Sequence, residues 1–430
     1  MVTRMICSEC GLEQAAGAAN YSCGCGGLME VRLEAGPGGW DAEQLRKTFD
    51  DRLSERGTLY ASGVWRYKEL IHPSLSPEFA VTRNEGNTGL YEAEPVRRFA
   101  GIGRLWLKAQ SENPSGSFKD NGMTVAVSQG LSQGYQRFAC SSTGNTSASL
   151  AMYAAWSGAE AYVFVPQQGV AAGKIGQTLA YGGRMVRFEG TYDDGIAFLQ
   201  RHAAALGLYV CNSINPWRIE GQKSIGFEIA HQLGWKLPDW IVLPGGALSN
   251  VSALGKGLLE LQAIGLIDRL PRIAVVQAEG AAPFHRLMEA GARELIPEPA
   301  PATRASALNI GNPPSWRKAA AVLKATAGVT VSVTDEEIFT AKRVVDRSGI
   351  GCEPASAASV AGLRKLRERG IIDPDCSAVC ILTGHLLKDY EAMNSYMTEI
   401  LDERIQGACG DERLGLHPDA VRALFAKSEG

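Results

Sequence analysis

The stretch "SENPSGSFKDNGM", residues 111–123, places one lysine, Lys119, among small and polar residues just after the strand-like run "RLWLKAQ". Isolated lysines usually lie on solvated surfaces. A lysine that opens a helix at the end of a strand can also carry a cofactor covalently, because a Schiff base requires an amine. The stretch alone therefore leaves two interpretations of Lys119, a surface charge and a cofactor-bound amine.

Strand and helix patterns alternate around this stretch, from about residue 104 almost to residue 400. Helical patterns separate short apolar runs, with cores at residues 146–156 and 224–233. This alternation predicts an α/β protein with parallel sheets and helices on both faces. The Pro/Ala-rich residues 281–316 predict a long ordered loop or flap. The predicted strands are "RLWLKAQ", "RFACSS", "AEAYVFVP", "RMVRFEG", "LYVCNS", "DWIVLPGG", "RIAVVQAE" and "SAVCILTG".

Polar, glycine-bearing stretches follow five of the predicted strands. In open α/β sheets, ligands bind beyond the carboxyl ends of the strands. The sequence therefore predicts one binding site, built jointly by these five stretches. They are "SENPSGSFKD", "SSTGNTSAS", "NSINPWRIEGQK", "LPGGALSN" and "LTGHLLKD".

The same stretches carry groups that suit pyridoxal phosphate (PLP). Small hydroxyls and a helix N-terminus in residues 142–149 suit a substrate carboxylate, and Gly245 with Gly246 lets the backbone approach a phosphate. Thr383 would face the pyridine nitrogen as a neutral partner, which favours elimination or replacement over transamination. Ordinary alternatives stay open, namely a Ser/Thr N-cap, a tight βα turn and a structural His385.

Bulk composition argues against several other classes of protein. The 430 residues are enough for two or three domains, and the net charge of −3 argues against a nucleic-acid binder. No apolar run is long enough for a transmembrane helix, and the start "MVTRMICSEC" lacks the apolar region of a secretory signal. We expect a cytoplasmic enzyme with a small-molecule substrate and neither nucleic-acid nor membrane partners.

Four of the ten cysteines cluster near the N-terminus as C-x2-C-x12-C-x-C: Cys7, Cys10, Cys23 and Cys25. Four thiolates among turn glycines are typical of a zinc ribbon, although the second pair is spaced more tightly than usual. We expect a structural zinc site, with free thiols in a metal-less head as the alternative. A closed four-thiolate site leaves no open position for catalysis.

Seven motifs, in matching order and spacing from about residue 60 to 400, resemble the threonine synthase family. This resemblance implies PLP fold type II, with two open, twisted, mostly parallel sheets flanked by helices, and a homodimer. The motifs are "EGNTGL", "ENPSGSFKDNGM", "STGNTSAS", "NSINPWRIEGQK", "PDWIVLPGGALSN", "CEPASAAS" and "LTGHLLKD". The implied domains are a zinc-ribbon-like head (1–35), a large PLP domain (36–123 and 214–401), a small mobile domain (124–213) and a polar tail (402–430).

The resemblance also implies a role for each matching residue. Lys119 would hold PLP and move protons at substrate Cα, Cβ and Cγ, Asn145 would bind the cofactor's 3′-oxygen, and Thr383 would face N1. A guanidinium fork such as that of Arg218 suits a phosphate dianion. The cofactor phosphate would be lined by Gly245, Gly246, Ala247, Leu248 and Asn250; the substrate carboxylate or phosphate by Ser142, Thr143 and Thr146; and the substrate phosphate by Asn212, Ser213, Arg218 and Lys223.

The chain departs from the family pattern at four positions. Ala247 and Ser249 stand where Asn and Gly are usual, Gly89 where Pro is usual, and Leu386 where Gly is usual. The backbone donors of the phosphate loop survive the first two changes, so PLP binding is expected to persist. Leu386 lies close to the expected ring partner and bears on substrate scope.

The implied reaction converts O-phospho-L-homoserine and water to L-threonine and phosphate, by γ-elimination and then addition of water at Cβ. Three alternatives stay open. A related enzyme could replace the phosphate of phosphoserine, as in cysteate synthesis from phosphoserine and sulfite. A threonine or serine dehydratase is disfavoured because it needs no anion pocket for a leaving phosphate, and a catalytically silent regulatory relative is disfavoured by the intact Lys119.

Overall fold

The computed structural model describes residues 2–15, 21–34, 39–167 and 172–403, together with residues 418, 419 and 422. The chain divides into two compact units at Tyr390. No helix in the described ranges is long and apolar enough to cross a membrane. Most of the predicted polar tail, residues 402–430, lies outside the described residues.

Three separate sheets hold the strands of the described residues. Each of the eight strands predicted from the sequence is confirmed, with ends that differ by a few residues at most. The strands are β1 (Val2–Cys7), β2 (Glu13–Gln14), β3 (Met29–Glu34), β4 (Leu90–Glu92), β5 (Arg104–Ala109), β6 (Arg137–Ser141), β7 (Glu160–Pro166), β8 (Arg184–Phe188), β9 (Tyr209–Val210), β10 (Trp240–Pro244), β11 (Arg272–Ala278), β12 (Val329–Val333) and β13 (Ser377–Leu382).

The largest sheet has six strands in the order β12-β11-β10-β13-β5-β4. All of its neighbouring pairs are parallel except β4 and β5, which are antiparallel. Strands β10, β13 and β5 are therefore consecutive and share one carboxyl edge. The stretches that follow these three strands meet at that edge, as the sequence predicted.

A four-stranded parallel sheet, in the order β8-β7-β6-β9, takes all its strands from residues 137–210. The carboxyl ends of β6 and β9 are adjacent, which brings the stretches after them together. The antiparallel three-stranded sheet β2-β1-β3 forms the cysteine-bearing head. The predicted domain boundaries stay a prediction.

Helices alternate with the strands along most of the described chain, as expected of an α/β protein. They are α1 (Ala42–Asp51), α2 (Lys68–Ile71), α3 (Glu94–Ala100), α4 (Lys119–Ser132), α5 (Asn145–Ser157), α6 (Ala172–Ala180), α7 (Tyr192–His202), α8 (Pro216–Gln222), α9 (Ser224–Gln232), α10 (Ser249–Ile264), α11 (Pro283–Glu289), α12 (Trp316–Ala325), α13 (Asp335–Arg347), α14 (Pro354–Glu368) and α15 (Tyr390–Glu403).

Helix α4 is buried continuously from Asp120 to Gly130, and its small residues let it pack closely against α8. A Cβ atom added to Gly122 would lie 2.7 Å from the carbonyl oxygen of Arg218. A Cβ atom added to Gly221 would lie 2.0 Å from the carbonyl oxygen of Asn121. The two helices therefore cross backbone against backbone, which only glycine permits at these two positions.

Residues 281–316 form a less regular segment than their neighbours, but the single long loop that we predicted is only partly correct. Helix α11 and a short 3₁₀ turn, Ser306–Leu308, interrupt this segment. The sequence analysis also missed two strands of the large sheet. Strand β4 is only three residues long, and β12 ("VTVSV") alternates polar and apolar residues at the sheet edge.

Candidate active site at the strand ends

Lys119 is the first residue of α4, and the loop before it lies against the end of β13. The Phe118 amide donates to the carbonyl of Thr383 at 3.0 Å, and the His385 amide donates to the carbonyl of Gly116 at 2.8 Å. These bonds hold the main chain just before the lysine against the end of β13. The stretches after β5 and β13 are therefore joined directly.

The environment of Lys119 favours its neutral amine. Burial, followed by the nearby charge of Arg218, lowers the pKa of Lys119 to about 7, while Glu353 acts in the opposite direction. The side chain keeps some exposed surface, and its Nζ lies 4.1 Å from the centroid of the Phe118 ring. Among the described residues, no carboxylate forms an ion pair with Lys119, so its amine remains a usable base or nucleophile at neutral pH.

Asp120, the next residue, anchors this part of the site. Its carboxylate accepts hydrogen bonds from the Ser115 amide and hydroxyl, both at 2.6 Å, and from the Ser149 hydroxyl at 2.5 Å. Burial raises the pKa of Asp120 to about 6, although these three donors oppose the shift. Asp120 thereby ties the lysine loop to α5, the helix that begins with Asn145.

The N-terminus of α5 offers an anion site of the predicted kind. This helix has 13 residues, and its N-cap residue, Gly144, supplies no side chain to its first amides. The side chains expected to contact the substrate there, Ser142, Thr143 and Thr146, are all partly exposed. Uncapped amides and accessible hydroxyls together suit a carboxylate.

Asn145 and Thr383, the two residues expected to contact the cofactor ring, both bond to Glu353. Asn145 Nδ2 donates to Glu353 Oε2 at 2.9 Å, and Thr383 Oγ1 donates to Glu353 Oε1 at 3.2 Å. Only 2% of Glu353 is exposed. Because Asn145 follows the small sheet and Thr383 follows the large one, this buried carboxylate spans the gap between them.

The turn between β10 and α10 fits a bound phosphate. A Cβ atom on Gly245 would lie 2.5 Å from Val275 Cγ1, and one on Gly246 would lie 2.8 Å from the Ala307 carbonyl oxygen, so main chain alone fills this turn. Asn250 is 5% exposed, and both polar atoms of its side chain are buried without a hydrogen-bond partner among the described residues. Unsatisfied buried polar atoms are rare, and here they accompany free amides at the start of a 16-residue helix. The residues present therefore fit the phosphate of PLP.

The two departures in this turn leave its backbone donors intact. Ala247 is partly exposed and contributes its main chain, while Ser249 begins α10. Between them, Leu248 is buried at φ 64°, in the left-handed region that leucine rarely adopts. Strain of this kind persists where the surrounding structure requires a particular turn.

Arg218 reaches the site from α8, beside the lysine helix. Its side chain is fully buried, and Nη1 donates to the Cys211 carbonyl at 3.0 Å. Ser213 is partly exposed. Both ends of the Asn212 side-chain amide bond to the main chain of Ser141, at 3.1 and 3.0 Å, which joins the stretches after β6 and β9. This geometry gives Asn212 a role in holding the two stretches together.

Lys223 requires a correction, because the structure places its ammonium in a separate ion-pair network. Its Nζ lies 2.5 Å from Glu220, 2.6 Å from Glu260 and 2.7 Å from the Leu70 carbonyl oxygen. Lys256 pairs with the same Glu220. Two carboxylates already neutralise Lys223, so it is not a candidate phosphate ligand.

The remaining departures have local structural reasons. The Gly89 amide donates to Glu112 at 2.5 Å, and the Tyr91 ring occupies the space that a side chain at position 89 would need. The usual proline could neither donate this bond nor fit under the ring. Leu386 packs over Gly351, next to the loop that leads to Glu353.

Glu353 and Asp120 are the site residues that the sequence analysis missed. Glu353 lay within a quoted motif, "CEPASAAS", and an acidic residue directly before a proline that opens a helix was the available signal. Asp120 directly follows the key lysine. Its three partners could be found only from the structure.

The four N-terminal cysteines lie close enough to share one metal ion. Their sulfur atoms all lie within 4.8 Å of one another, with Cys7 and Cys25 at 3.5 Å and Cys10 and Cys23 at 3.6 Å. Tetrahedral zinc with sulfur ligands at about 2.3 Å separates those sulfurs by about 3.8 Å. The donor set and spacing therefore fit zinc.

Comparisons with known proteins identify the class. The family of pyridoxal-phosphate dependent enzymes matches residues 81–384. The structure of maize serine racemase matches with a TM-score of 0.63 at 20% identity, covering 80% of this chain and 100% of that one. Diaminopropionate ammonia lyase from Escherichia coli matches with a TM-score of 0.61 at 17% identity, over 93% of this chain and 97% of that one. The chain therefore belongs to the pyridoxal-phosphate dependent enzymes, with fold type II.

Comparison with curated relatives identifies the family within this class. A threonine synthase of Methanosarcina acetivorans is 43% identical over 98% of this chain and 99% of its own. One of Methanocaldococcus jannaschii is 42% identical over 90% and 93%, and threonine synthase 2, chloroplastic, of Arabidopsis thaliana is 33% identical over 94% and 79%. Within the class, the chain is a member of the threonine synthase family.

Proposed function

We infer that this protein is a threonine synthase, a PLP-dependent lyase that converts O-phospho-L-homoserine and water to L-threonine and phosphate. The near full-length identity to curated threonine synthases carries this conclusion. The chemistry of the site is consistent with it. The stretches that follow the strands supply a largely buried amine, an uncapped helix N-terminus and a buried guanidinium, which are the groups that a zwitterionic phosphorylated amino acid requires.

The cofactor would be held by groups from three strand ends. We propose that Lys119 carries PLP, that Asn145 and Thr383 contact its ring, and that the turn after β10 binds its phosphate. When bound, PLP supplies an electron sink for carbanions next to the substrate amine. The phosphate-binding residues in this proposal are Gly245, Gly246, Ala247, Leu248 and Asn250.

The substrate would be oriented by charges at both of its ends. The amides at the start of α5, with Ser142, Thr143 and Thr146, would bind the α-carboxylate. Arg218 and Ser213 would bind the phosphate, and the guanidinium would stabilise its charge as the bond from Cγ to oxygen breaks. Asn212 would keep these two groups of residues in register through Ser141.

Proton transfer would fall to Lys119. With its pKa lowered to about 7, a large fraction of the amine is neutral at neutral pH and can accept a proton from Cα and then from Cβ. The same group can return protons to Cγ and Cα, while water adds to Cβ. Its flexible side chain lets one amine serve carbons that lie next to each other.

A product assay tests this function against the alternatives. The purified protein, loaded with PLP, is incubated with phosphohomoserine and with phosphoserine, each with and without sulfite, and phosphate and amino acids are quantified. We expect threonine and phosphate in equal amounts from phosphohomoserine. Sulfite-dependent cysteate from phosphoserine would instead establish the β-replacement reaction, and a protein that binds no PLP would exclude both enzymes.

We also propose that the N-terminal head holds one structural zinc ion. The four clustered sulfur atoms support this proposal, because they present the ligand set that closed zinc sites use. Metal analysis of the purified protein should give one zinc per chain, and Cys7→Ser with Cys10→Ser should abolish it. Cys376→Ser, which changes a cysteine outside the head, serves as the matched control and should retain the zinc.

The assembly and location proposed here follow the family resemblance. We propose a cytoplasmic homodimer in which residues 124–213 form a small domain that moves on substrate binding. The separate four-stranded sheet within that range supports the domain division. Light scattering of the purified protein should give about twice the 46.0 kDa chain mass. A monomeric mass would contradict the dimer and leave the reaction untouched.

A further inference from the structure

Glu353 joins the two residues expected to face the cofactor ring, and its ionised form sets the polarity of both hydrogen bonds. A carboxylate accepts hydrogen bonds and donates none. Asn145 must therefore turn its NH₂ group, and not its carbonyl oxygen, toward Glu353. Thr383 must likewise donate its only hydroxyl proton to Glu353.

Ser356 completes this arrangement. Its hydroxyl accepts from the Gly384 amide at 3.0 Å and lies 3.0 Å from Thr383 Oγ1. Because the Thr383 proton points to Glu353, the proton between the two hydroxyls must come from Ser356. Thr383 then keeps one oxygen lone pair and has no proton left to donate.

The groups around Glu353 act on its charge in both directions. Burial, together with the nearby Asp389, raises the pKa of Glu353, while the hydrogen bonds from Asn145 and Thr383 and the charge of Lys388 oppose that rise. Glu353 is also the N-cap residue of α14, a 15-residue helix whose positive end stabilises an anion. Lys119 contributes a further positive charge when it is protonated.

We propose that Glu353 is a positioning residue that sets the donor and acceptor polarity of the cofactor site. Acting through Thr383, it presents an acceptor to the pyridine nitrogen, which holds that nitrogen protonated. Acting on Asn145, it leaves the second N–H of the amide to donate to the 3′-oxygen. This proposal rests on the proposed function, since it assumes that PLP binds between these residues.

The consequence reverses an expectation drawn from Thr383 alone. A neutral threonine was expected to leave the nitrogen largely unprotonated and the ring a weaker electron sink. Because Glu353 takes the Thr383 proton, the Thr383 hydroxyl can only accept a hydrogen bond from the ring nitrogen. It then acts on that nitrogen as a carboxylate would. The ring would then be a stronger electron sink, which helps removal of a proton from the less acidic Cβ.

Nitrogen NMR of the holoenzyme tests this directly. The apoprotein is reconstituted with PLP labelled with ¹⁵N at the ring nitrogen, and the chemical shift of that nitrogen reports its protonation. We expect the protonated value in the wild type. In Glu353→Gln, whose amide can donate to Thr383, we expect a downfield shift toward the unprotonated value and roughly tenfold weaker PLP binding.

Two further variants keep the test decisive. Thr383→Val removes the hydroxyl and should give the unprotonated shift even if Glu353→Gln does not fold. Asp346→Asn is the matched control, because Asp346 holds the Cys352 amide beside Glu353 but bonds neither Asn145 nor Thr383. It should keep the wild-type shift.

The outcomes separate this proposal from the proposed function. An unprotonated nitrogen in the wild type, or an unchanged shift in both Glu353→Gln and Thr383→Val, would overturn the role of Glu353 while PLP binding stands. Failure of the wild-type protein to bind PLP would overturn the proposed function itself. A protonated wild-type nitrogen that loses its proton in both Glu353→Gln and Thr383→Val, but not in Asp346→Asn, supports the role of Glu353, and a folded Glu353→Gln that keeps the proton contradicts it.

Discussion

Two largely enclosed lysines, Lys119 at the start of α4 and Lys223 directly after α8, have opposite surroundings. Lys223 contacts two carboxylates and a carbonyl oxygen within 2.7 Å. Lys119 has no carboxylate in ion-pair contact among the described residues; its Nζ lies over the Phe118 ring, and the charge of Arg218 acts on it. Burial alone therefore does not distinguish a functional amine from a structural one.

The difference lies in the partners that the fold provides for each amine. Lys223 pairs with Glu220 of α8 and Glu260 of α10 and so links these two helices. Burial and Arg218 instead disfavour the charge on Lys119, so this reactive amine lowers the stability of the folded protein. Each of the following predictions separates these two roles.

Removal of the Lys119 amine should have the largest effect on turnover. Lys119→Ala should lower kcat by at least about 10³-fold, because general acid–base catalysis of this kind contributes roughly 10²–10⁴-fold and covalent attachment is lost as well. The visible absorption of bound PLP should disappear while far-UV circular dichroism is retained. A variant that kept both turnover and absorption would disprove the assignment of Lys119.

Removal of the Lys223 amine should lower the stability of the protein. Lys223→Met leaves carboxylates buried without their partner and should lower the free energy of unfolding by about 3 kcal/mol. Urea unfolding of the apoprotein, followed by circular dichroism, measures this. Lys324→Met, at an exposed lysine of α12, is the control and should change stability by less than about 0.5 kcal/mol. Equal effects of the two variants would contradict the role of the network.

Arg218 bears on both the proposed phosphate site and the Lys119 amine. Arg218→Gln should raise KM for phosphohomoserine roughly 10- to 100-fold, since hydrogen bonds to charged groups contribute about 1.5–3 kcal/mol. It should also raise the pKa of Lys119, because a positive charge near the amine is removed. Amine modification of the apoprotein as a function of pH measures that shift. An unchanged pKa would show that Arg218 does not act on Lys119.

Lys119 and Lys223 should also differ in the sign of their effect on apoprotein stability. Lys119→Met should raise the free energy of unfolding by roughly 1 kcal/mol at pH 8, because it removes a poorly solvated amine. Between pH 7 and the ordinary lysine value of 10.5, the unfolded wild-type chain binds more protons at this residue than the folded one. This contribution therefore makes wild-type stability rise with pH over that range, and it should be absent from Lys119→Met. A loss of stability in Lys119→Met would show that the lysine is structural.

The parts of the fold that depend on local patterns could be predicted from the sequence. Each apolar run followed by a glycine-bearing turn is a strand, and parallel pairing places the turns after β5, β10 and β13 on one edge. Strands β4 and β12 could not be predicted with the same rule, because one is very short and the other lies at a partly exposed edge.

Pairings between distant residues could not be predicted at all. Glu353 lies 208 residues from Asn145 and 30 residues from Thr383, and no local pattern links them. The family resemblance implied that Lys223 is a phosphate ligand. Its actual partner Glu260, 37 residues later, is visible only once α8 and α10 are packed together.

The crossing of α4 and α8 at Gly122 and Gly221 has a consequence for the choice of substrate. Because main chain touches main chain there, side chains at the contact cannot change the separation of the two backbones that carry Lys119 and Arg218. The crossing therefore fixes the spacing of the two backbone positions from which the proposed proton-transfer group and the proposed phosphate ligand extend. Phosphoserine is one methylene shorter than phosphohomoserine, so we expect it to engage these two groups less well.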